Sequence, residues 1–428
     1  MRLLAGLARM RGLLAATELD LRLFGMLVAL AVILLGFSVL REGFFRPANM
    51  VTLVVQAIPV AILATGMVLV IVSRNIDLSV GSVVGFIAMT YALLMTDWLP
   101  AIGIGVDFPF RWLIALALGV GLGAAFGAVQ GFIIAYIGVP SFVVTLGGLL
   151  SIRGAVWYLS NGAAVTGMDP TFQLIGGGAR GSIGEWLTWA LGAVGCVAVI
   201  ALLINSRRQR RRFGFPVRPI WAEVVLGVLG CAVMLGLSAF ANGTYLPPGL
   251  ATQYAQEHGI TEPPGGLKVP TGFPLPIVLL IGVTVAMTWL ATRRRFGRYV
   301  YAYGGNPDAA ELAGINTRLQ ILKTFVLMGV LAALSAAVVG ARLNGATLDI
   351  GNSYELYVIA AAVVGGTSFA GGIGTIPGAV LGAFVMQSLS YGLSFMGVNS
   401  PGQNVVAGIV LILAVAFDAY NRRRGGGT

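Results

Sequence analysis

A glycine-rich stretch, AAAVVGGTSFAGGIGTIPGAV (residues 360–380), is the part of the sequence that most resembles a phosphate-binding loop. A P-loop needs a lysine directly after its last glycine, because this lysine reaches the phosphates. Here Gly372 stands at that position, and the two lysines of the chain, Lys268 and Lys323, follow no such loop. The stretch instead predicts a bend between two apolar helices, which glycine accommodates. The glycines assigned to this bend are Gly365, Gly366, Gly371, Gly372, Gly374 and Gly378.

The chain has few residues that bind metals or act as nucleophiles. His258 is the single histidine and lies in a polar segment, whereas Cys196 and Cys231 lie within apolar segments. Zinc sites and disulfide frameworks need more of these residues at closer spacing. A membrane enzyme would need His, Asp or Glu clustered at one face. We therefore expect no catalytic centre, no metal site and no cofactor bound by this chain.

The segment VSRNIDLSVGS (residues 72–82) places Arg74 and Asp77 between two apolar runs. An ionisable residue at membrane depth is costly, and this cost makes it a functional candidate. At a helix junction, however, the Asp77 carboxylate also suits the cap of a helix that begins near Leu78. The pattern leaves two interpretations open, a structural cap or turn and a side chain that lines a translocation path.

The elements that position these residues are predicted to be membrane helices. The 428 residues are 57% hydrophobic and 10% charged, with a mean hydropathy of +0.89. A soluble domain carries about 25% charged residues. Apolar runs close to the ~20 residues needed to cross a bilayer recur along the sequence, which lacks the alternating segments typical of a membrane β-barrel. We predict an all-α polytopic membrane protein.

Twelve apolar segments are candidates for membrane-spanning helices. They cover residues 24–40, 50–72, 78–95, 112–136, 138–160, 186–204, 221–240, 273–292, 323–342, 355–371, 374–396 and 403–420. The segments at 78–95, 138–160, 355–371 and 374–396 are short or broken by glycine, and are candidates for re-entrant segments. We therefore predict about 10–12 transmembrane helices, some of them broken or re-entrant.

Basic residues are distributed unevenly between the two sides that these segments define. With the N-terminus in the cytoplasm, 20 of the 27 Lys and Arg residues lie on the inward side, six of them in residues 207–218. This is the positive-inside pattern, and it explains the formal net charge of +11 without nucleic acid. The arginine run is then an anchor near anionic headgroups. We expect contact with the lipid bilayer, both termini in the cytoplasm, and no nucleic acid partner.

Residues 24–420 are predicted to form a single transmembrane domain between cytoplasmic tails at 1–23 and 421–428. Its main loops are predicted at 205–220 (basic, cytoplasmic), 241–272 (outward) and 293–322 (cytoplasmic). No loop is long enough to form a soluble domain that could carry out ATP chemistry.

The sequence GVGLGAAFGAVQG repeats glycine at every fourth position. On a helix this spacing makes a smooth ridge that lets a second helix approach closely. The residues of the predicted ridge are Gly119, Gly123, Gly127 and Gly131. The ridge indicates a compact helix bundle and does not indicate what passes through it.

The segment NPDAAELAGI, in the loop at 293–322, predicts a short helix. Asn306 suits the N-cap, Pro307 the first helical position and Gly314 the stop. Small residues such as Ala309 would let this helix enter a groove on another protein. An ordinary interfacial loop explains the pattern equally well.

Five separate stretches, in the right order, resemble the permease subunits of bacterial ABC monosaccharide importers, the family of the ribose, galactose, arabinose and xylose permeases. They are ANMVTLVVQAIPVAILATGMVLVIVSRNIDLSVGS, GAVQGFIIAYIGV, GVPSFVVTLGGLLSIRG, FGRYVYAYGGNPDAAELAGIN and IAAAVVGGTSFAGGIGTIPGAVLGAFVMQSLSYGLSFMGV. The resemblance covers residues 45–160 and 290–418. The long region at 200–272 looks most like the xylose-transport subtype.

The resemblance implies a homodimeric channel in the bacterial inner membrane that works with cytoplasmic ATPase subunits and a periplasmic sugar-binding protein. ATP and Mg²⁺ are then expected on the partner ATPase, because this chain lacks a P-loop. On this resemblance, GGNPDAAELAGIN corresponds to the cytoplasmic coupling helix of the family. The residues implied to contact the ATPase are Gly304, Gly305, Asn306, Pro307, Ala309, Ala310 and Gly314.

A monosaccharide in transit needs weak hydrogen-bond partners, and polar residues in or beside the apolar segments could supply them. The candidates for the translocation path are Gln56, Asn75, Asp77, Ser79, Thr145, Ser368 and Asn399. Outward charges are candidates for docking the binding protein, where they would mainly raise the association rate. These charges are Arg41, Arg46, Asp107, Arg111, Arg180 and Glu262.

Two alternatives to a sugar permease remain. The nearest is a related permease for another small solute, such as a branched-chain amino acid. The other is a secondary transporter driven by H⁺ or Na⁺, which would usually carry embedded acidic residues and an inverted repeat. Only Asp77, Glu223 and Glu355 lie near the ends of predicted spans.

Overall fold

The computed structural model describes residues 21–178, 180–257, 259–260 and 266–425. Within these ranges, side chains are described from residue 23 to residue 416. Most of the predicted tails, together with His258 and Glu262, therefore lie outside the described residues. The chain divides into two compact units. Among the described residues, the hairpin unit contains residues 21–24 and 182–274, and the main unit contains residues 25–181 and 275–425.

Sixteen labelled helices follow one another along the described chain. They are α1 (Leu21–Leu40), α2 (Pro47–Val72), α3 (Val80–Leu93), α4 (Arg111–Phe132), α5 (Ser141–Ser160), α6 (Pro170–Gln173), α7 (Gly184–Arg212), α8 (Ile220–Ala241), α9 (Pro248–Glu257), α10 (Leu275–Arg293), α11 (Arg295–Gly305), α12 (Pro307–Leu312), α13 (Thr317–Leu343), α14 (Tyr354–Val364), α15 (Ile376–Phe395) and α16 (Ser400–Gly425). A π-helical turn (Leu94–Trp98) and a short α-turn (Leu99–Ala101) extend α3, and a second π-helical turn (Ile133–Ile137) extends α4. A 3₁₀ turn (Leu174–Gly176) follows α6.

Ten of the described helices are long and apolar enough to cross a membrane: α1, α2, α3 with its extension, α4 with its extension, α5, α7, α8, α10, α13 and α15. Helices α14 and α16 carry shorter apolar runs, Tyr354–Val364 and Ser400–Ala416. Strand is limited, in the part of the chain that the structure describes, to one antiparallel pair and two isolated bridges. In this pair β1 (Val165–Thr166) sets Val165 opposite Ala346 of β2 (Gly345–Ala346). The prediction of an all-α polytopic membrane protein is confirmed.

The core of the main unit is built around α2 and α13, which are buried over most of their apolar length. Helix α4 packs against α13 through the buried glycines Gly123, Gly127 and Gly131, whereas Gly119, the first glycine of the predicted ridge, faces Tyr91 of α3. A Cβ atom at Gly123 would overlap the backbone of Gly329, and one at Gly127 would overlap that of Phe325. The missing side chains therefore allow the two backbones to approach closely, as in small-residue helix pairs of membranes.

Two helices of the main unit begin only after the chain has turned back along the helix bundle. Residues 73–79 follow α2 without helical structure, and α3 begins at Val80 beside Met328, near the middle of α13. Residues 344–353 follow α13, and Gly351 reaches Gly81 at the start of α3, where a Cβ on either glycine would overlap the other's carbonyl oxygen. These two breaks, the 73–79 break and the 344–353 break, meet at the start of α3.

The predicted apolar segment at 355–371 was too long. Helix α14 spans 11 residues and ends at Val364, because Gly366 adopts a φ of 90° that a helix cannot continue through. The bend continues through Gly371 and Gly372, with φ of 86° and 72°. The glycine-rich stretch is thus a bend between α14 and α15, as its composition predicts.

The hairpin unit consists of the antiparallel helices α7 and α8 followed by α9 and a long connection. Helix α7 continues to Arg212, so most of the basic run predicted as a loop at 205–220 is helical. Arginine is a good helix former and is stabilised near a helix C-terminus by the helix dipole. The predicted outward loop at 241–272 likewise contains a complete helix, α9.

Candidate functional site

Three chain segments meet where α2 ends, and we call this site the three-loop junction: residues 72–74, 301–305 and 371–374. Arg74 links the first two segments, because its Nε donates to the Gly304 carbonyl oxygen at 2.8 Å and its Nη2 donates to that of Gly305 at 3.0 Å. Arg74 has a φ of 59°, a left-handed conformation that is uncommon for a residue with a side chain. The guanidinium satisfies carbonyl groups at the C-terminus of α11, which lack helical partners.

The glycine-rich bend supplies the third segment of the junction. The Gly372 N–H donates to the Val72 carbonyl oxygen at 3.0 Å. The Tyr301 hydroxyl donates to the Gly374 carbonyl oxygen at 2.7 Å, and burial raises the pKa of Tyr301 to about 12. The hydroxyl therefore keeps its proton and remains a donor at physiological pH. Hydrogen bonds thus connect α2, α11 and the bend.

Close backbone contact at the junction depends on glycine at three positions, and a Cβ atom at one of them, Gly371, would lie 2.5 Å from the Gly304 carbonyl oxygen. A Cβ atom at Gly304 would overlap the Val72 carbonyl oxygen and lie 2.8 Å from the Gly372 nitrogen. A Cβ at Gly372 would lie 2.8 Å from the Gly305 Cα. A Cβ at Gly305 would meet nothing within 4 Å. Two adjacent glycines therefore differ sharply in the space around them.

The short helix predicted within NPDAAELAGI is confirmed as α12. The Asn306 side chain accepts from the Ala309 N–H at 3.0 Å and so caps its N-terminus. Gly314 has a φ of 77° just after its C-terminus, as a helix stop requires. Since α12 begins one residue after Gly305, the three-loop junction and this helix form one continuous feature.

The residues implied to contact an ATPase are placed differently in the chain. Gly304 and Ala310 are buried, and Ala310 is only 4% exposed. Pro307 is half-buried, whereas Gly305, Asn306, Ala309 and Gly314 are exposed. The most exposed large apolar side chain is that of Leu312, at 91%, among the residues that the structure describes. Leu312 was not among the candidates, although an apolar residue in a short polar helix is a signal visible in the sequence.

The polar residues near the start of α3 form a second cluster. Asp77 accepts from the Ser79 N–H at 2.9 Å and from the Ser79 hydroxyl at 2.7 Å. Gln130 of α4 donates its Nε2 to the Ser79 hydroxyl oxygen at 2.8 Å. Asp77, Ser79 and Gln130 are all buried. Asp77 therefore closes a turn at the helix start, which favours its structural interpretation.

Side chains of helix α5 supply hydrogen-bond partners to the non-helical backbone of the 73–79 break. The Ile76 N–H donates to the Ser141 hydroxyl oxygen at 3.2 Å, and the Thr145 hydroxyl donates to the Ile76 carbonyl oxygen at 3.2 Å. Asn75 donates its Nδ2 to the Ser73 carbonyl oxygen at 2.8 Å. Non-helical backbone at membrane depth needs such partners, because no bulk water is available there.

The cavity beside Asp77 has a volume of about 10 Å³, enough for about one water molecule. A monosaccharide does not fit into it. Of the path candidates, the structure brings together Asn75, Asp77, Ser79 and Thr145. The remaining three lie elsewhere: Gln56 half-buried on α2, Ser368 in the glycine-rich bend, and Asn399 exposed at the start of α16.

The 344–353 break is tied to α5 by an arginine that the candidates did not include. Arg153 donates its Nη1 to the carbonyl oxygens of Leu348 and Ile350, both at 3.0 Å. Arg153 thus satisfies backbone groups of the second break, as Ser141 and Thr145 do for the first. The sequence signal was a lone arginine inside an apolar segment, which is a functional candidate at membrane depth.

The prediction that Arg111 is an outward charge that docks the binding protein is wrong. Arg111 is only 3% exposed and donates its Nη2 and Nε to the Asp169 carboxylate at 2.8 and 3.1 Å. Asp169 also caps α6 by accepting from the Thr171 N–H at 2.8 Å. A buried arginine in such a pair cannot dock a second protein. Of the other described charges, Arg41, Arg46, Asp107 and Arg180 are exposed.

Comparison with known proteins identifies relatives along nearly the whole chain. The family model described as branched-chain amino acid transport system / permease component matches residues 49–415. The xylose transport system permease protein of Escherichia coli (strain K12) is 34% identical over 95% of this chain and 94% of its own length. The ribose import permease protein of the same organism is 31% identical over 92% of each chain. The galactose/methyl galactoside import permease protein is 27% identical over 94% of this chain and 95% of its own length.

No solved structure matches the chain. The resemblance to sugar permeases carried by the coupling-loop and glycine-rich motifs is confirmed by these relatives. The chain is similar over nearly its whole length to bacterial sugar permeases. It belongs to the family described as branched-chain amino acid transport system / permease component.

Proposed function

We propose that this chain is the membrane-spanning permease subunit of an ABC importer that moves a monosaccharide, most closely a xylose-type sugar, across the bacterial inner membrane. The observation that carries the proposal is the match to a xylose permease over 95% of this chain. ATP and Mg²⁺ are bound by separate ATPase subunits, and a periplasmic binding protein delivers the sugar. The chain itself performs no chemistry on ATP.

The three-loop junction supports a route for coupling. Helix α12 presents its exposed residues to the ATPase, with Leu312 as the apolar anchor. A displacement of α12 also moves Gly304 and Gly305, which directly precede it. The hydrogen bonds from Arg74 to these two residues transmit the displacement to the 73–79 break. Packed elements transmit such rigid-body motion because their interfaces shift between discrete arrangements. The buried residues Gly304 and Ala310 then act by shaping this route and not by touching the ATPase.

The path for the sugar is proposed to lie between two copies of the chain. The cavity beside Asp77 is too small for a sugar. Helix α5, in contrast, exposes the small and polar residues Gly147, Ser151 and Gly154 along one face, beside the exposed Leu150. Small and polar residues are typical of helix–helix interfaces and wet surfaces in membranes, whereas apolar residues suit lipid. A homodimer with α5 near its axis would give the sugar a weakly polar route.

The distribution of arginine supports an orientation with both termini in the cytoplasm. The end of α2 at Val72, helix α12 and the arginine-rich end of α7 then face the cytoplasm. Exposed charges on the opposite side, among them Arg41, Arg46 and Asp107, are left to steer the binding protein. Such rim charges act mainly on the association rate.

A branched-chain amino acid permease is the second candidate, because the description of the family model names that substrate. The three relatives described above, which match over 92% or more of this chain, are, however, named for xylose, ribose and galactose. An ion-coupled transporter is less favoured, because Asp77 is held in a turn by Ser79 and is only 4% exposed.

ATP hydrolysis by the reconstituted complex of permease, ATPase and binding protein tests the proposal. We expect hydrolysis to rise when the binding protein carries a pentose and not when it carries leucine. Leu312→Glu should abolish this rise by weakening contact with the ATPase, whereas Asp308→Glu, a conservative change at another exposed position of α12, should preserve it. A complex that leucine stimulates and sugars do not would contradict the proposed substrate class.

A further inference from the structure

The hairpin unit carries a surface groove that the proposed transport function does not use. The groove runs between α7 and α8 and has a volume of about 640 Å³, within the range of small-ligand sites. Its walls include Ile200 and Ile204 from α7 and Val224 and Val228 from α8, all between 47% and 63% exposed. These pairs are four residues apart, so each helix presents one apolar face to the groove.

One end of the groove is basic. Arg207, Arg208 and Arg211 line it together with Glu223. The Arg207 guanidinium forms an ion pair with the Glu223 carboxylate, so these two charges offset each other. Arg208 and Arg211 are exposed and have no ion-pair partner among the residues that the structure describes. The groove is therefore apolar along its length and carries two free positive charges at one end.

The length of the groove fits one leaflet of a bilayer. From Ile200 to Arg211, α7 rises by about 16 Å at ~1.5 Å per residue. Half of the hydrocarbon core is about 15 Å thick. A lipid tail lying along Ile200 and Val228 would thus end with its phosphate beside Arg208 and Arg211. Basic pockets at the membrane surface bind anionic headgroups, and a bidentate arginine suits phosphate geometry.

We propose that the α7–α8 groove binds one anionic phospholipid, with an acyl chain along the apolar walls and the phosphate held by Arg208 and Arg211. The proposal requires only that the chain spans a membrane, and it holds whichever solute is transported. It differs from general anchoring of the arginine run, because it assigns a defined stoichiometry and two of the six arginines at residues 207–218.

Native mass spectrometry of the full-length protein, titrated with phosphatidylglycerol or with phosphatidylcholine of the same acyl chains, tests the proposal. We expect one phosphatidylglycerol to bind in preference to phosphatidylcholine. The double variant Arg208→Gln/Arg211→Gln should weaken this binding by about 25-fold, from roughly a fivefold loss for each arginine. The four remaining arginines of the run keep the orientation of the chain.

The matched control is Arg293→Gln/Arg295→Gln, which removes two exposed arginines at another basic surface and should leave the phosphatidylglycerol site intact. Gly227→Phe fills the groove without changing charge, and should weaken binding of the lipid as well. Equal binding of the two lipids, or equal loss in both double variants, would overturn the proposal. So would a change from dimer to monomer in Arg208→Gln/Arg211→Gln without lipid loss, because the groove would then be occupied by a second copy of the chain.

Discussion

Substitution of Gly304 by alanine tests whether the three-loop junction couples α12 to the membrane helices. The added Cβ would overlap the Val72 carbonyl oxygen and lie 2.8 Å from the Gly372 nitrogen, whereas real Cβ atoms essentially never approach closer than 3.0 Å. Both neighbours are backbone atoms, so no side chain can rotate away. The junction must open, and α11 must move away from the end of α2.

The expected cost follows from the kind of contact. Overpacking in a well-packed region costs about 1–3 kcal/mol. If this cost falls on the state in which the junction is closed, it lowers the coupling between α12 and the 73–79 break by about 5- to 150-fold. The loss should be visible as fewer sugar molecules transported for each ATP hydrolysed, with the protein still inserted in the membrane.

Gly305→Ala is the matched control. It adds the same methyl group one residue later, where nothing lies within 4 Å, and the better helix propensity of alanine stabilises α11 by up to about 1 kcal/mol. We expect the transport ratio of Gly305→Ala to equal that of the unmodified protein. Gly372→Ala approaches the same contact from the glycine-rich bend, and should resemble Gly304→Ala. Its φ of 72° adds backbone strain.

Proteoliposomes containing the complete complex, with uptake of labelled sugar and release of phosphate measured together, provide the assay. Size-exclusion chromatography shows whether each variant assembles. If Gly304→Ala and Gly305→Ala transport with the same ratio, the close contact at Gly304 does not carry coupling, and the reasoning fails.

Three further predictions follow from other parts of the structure. After replacement of the native cysteines, cysteine introduced at Ser151 should form a disulfide between two copies of the chain. Cysteine at the exposed position Val32 should not form one. A cross-link at Val32 alone would contradict the proposed dimer axis. Arg111→Met should lower stability by about 3–5 kcal/mol, measured by thermal unfolding, because it leaves the buried Asp169 carboxylate unpaired; an unchanged melting temperature would contradict the pairing. Burial raises the pKa of Tyr301 to about 12, so the stability it contributes is complete below its ordinary pKa of about 10 and is lost as the pH rises towards 12. Tyr301→Phe should remove this alkaline loss, and an identical pH profile in the two proteins would refute it.

Local sequence patterns predicted the elements that depend on neighbouring residues. Asn306, Pro307 and Gly314 specify the cap, start and stop of α12 within ten residues, and the structure has this helix. The four-residue glycine spacing predicted a packing ridge in the same way. The glycine content of residues 360–380 predicted a bend, and the structure has a bend between α14 and α15.

Contacts between distant segments could not be predicted in this way. Arg74 and Gly304 are 230 residues apart, and nothing in either local pattern indicates that they meet. Arg111 looked like an exposed charge because it begins an apolar segment, and its partner Asp169 lies 58 residues further on. The arginine run lies between two apolar segments and was predicted as a loop, whereas α7 continues through it to Arg212, because arginine favours helices.

The contacts at the three-loop junction give the glycine-rich bend a structural role. Its glycines are needed for close approach and for positive φ at Gly371 and Gly372, and its backbone contacts α2 and α11 within hydrogen-bond distance. A bend that looks like a phosphate site in the sequence is thus, in our proposal, part of the route from a partner's ATP to the membrane helices.

Uptake of labelled solute into proteoliposomes tests the central claim most directly. The permease is reconstituted with its ATPase and binding protein, ATP is enclosed on the ATPase side, and labelled xylose or labelled leucine is supplied on the other side. The account predicts ATP-dependent uptake of xylose or another monosaccharide that persists when a protonophore collapses the proton gradient. Uptake of leucine in place of sugars, or sugar uptake that needs a proton gradient and not ATP, would contradict it.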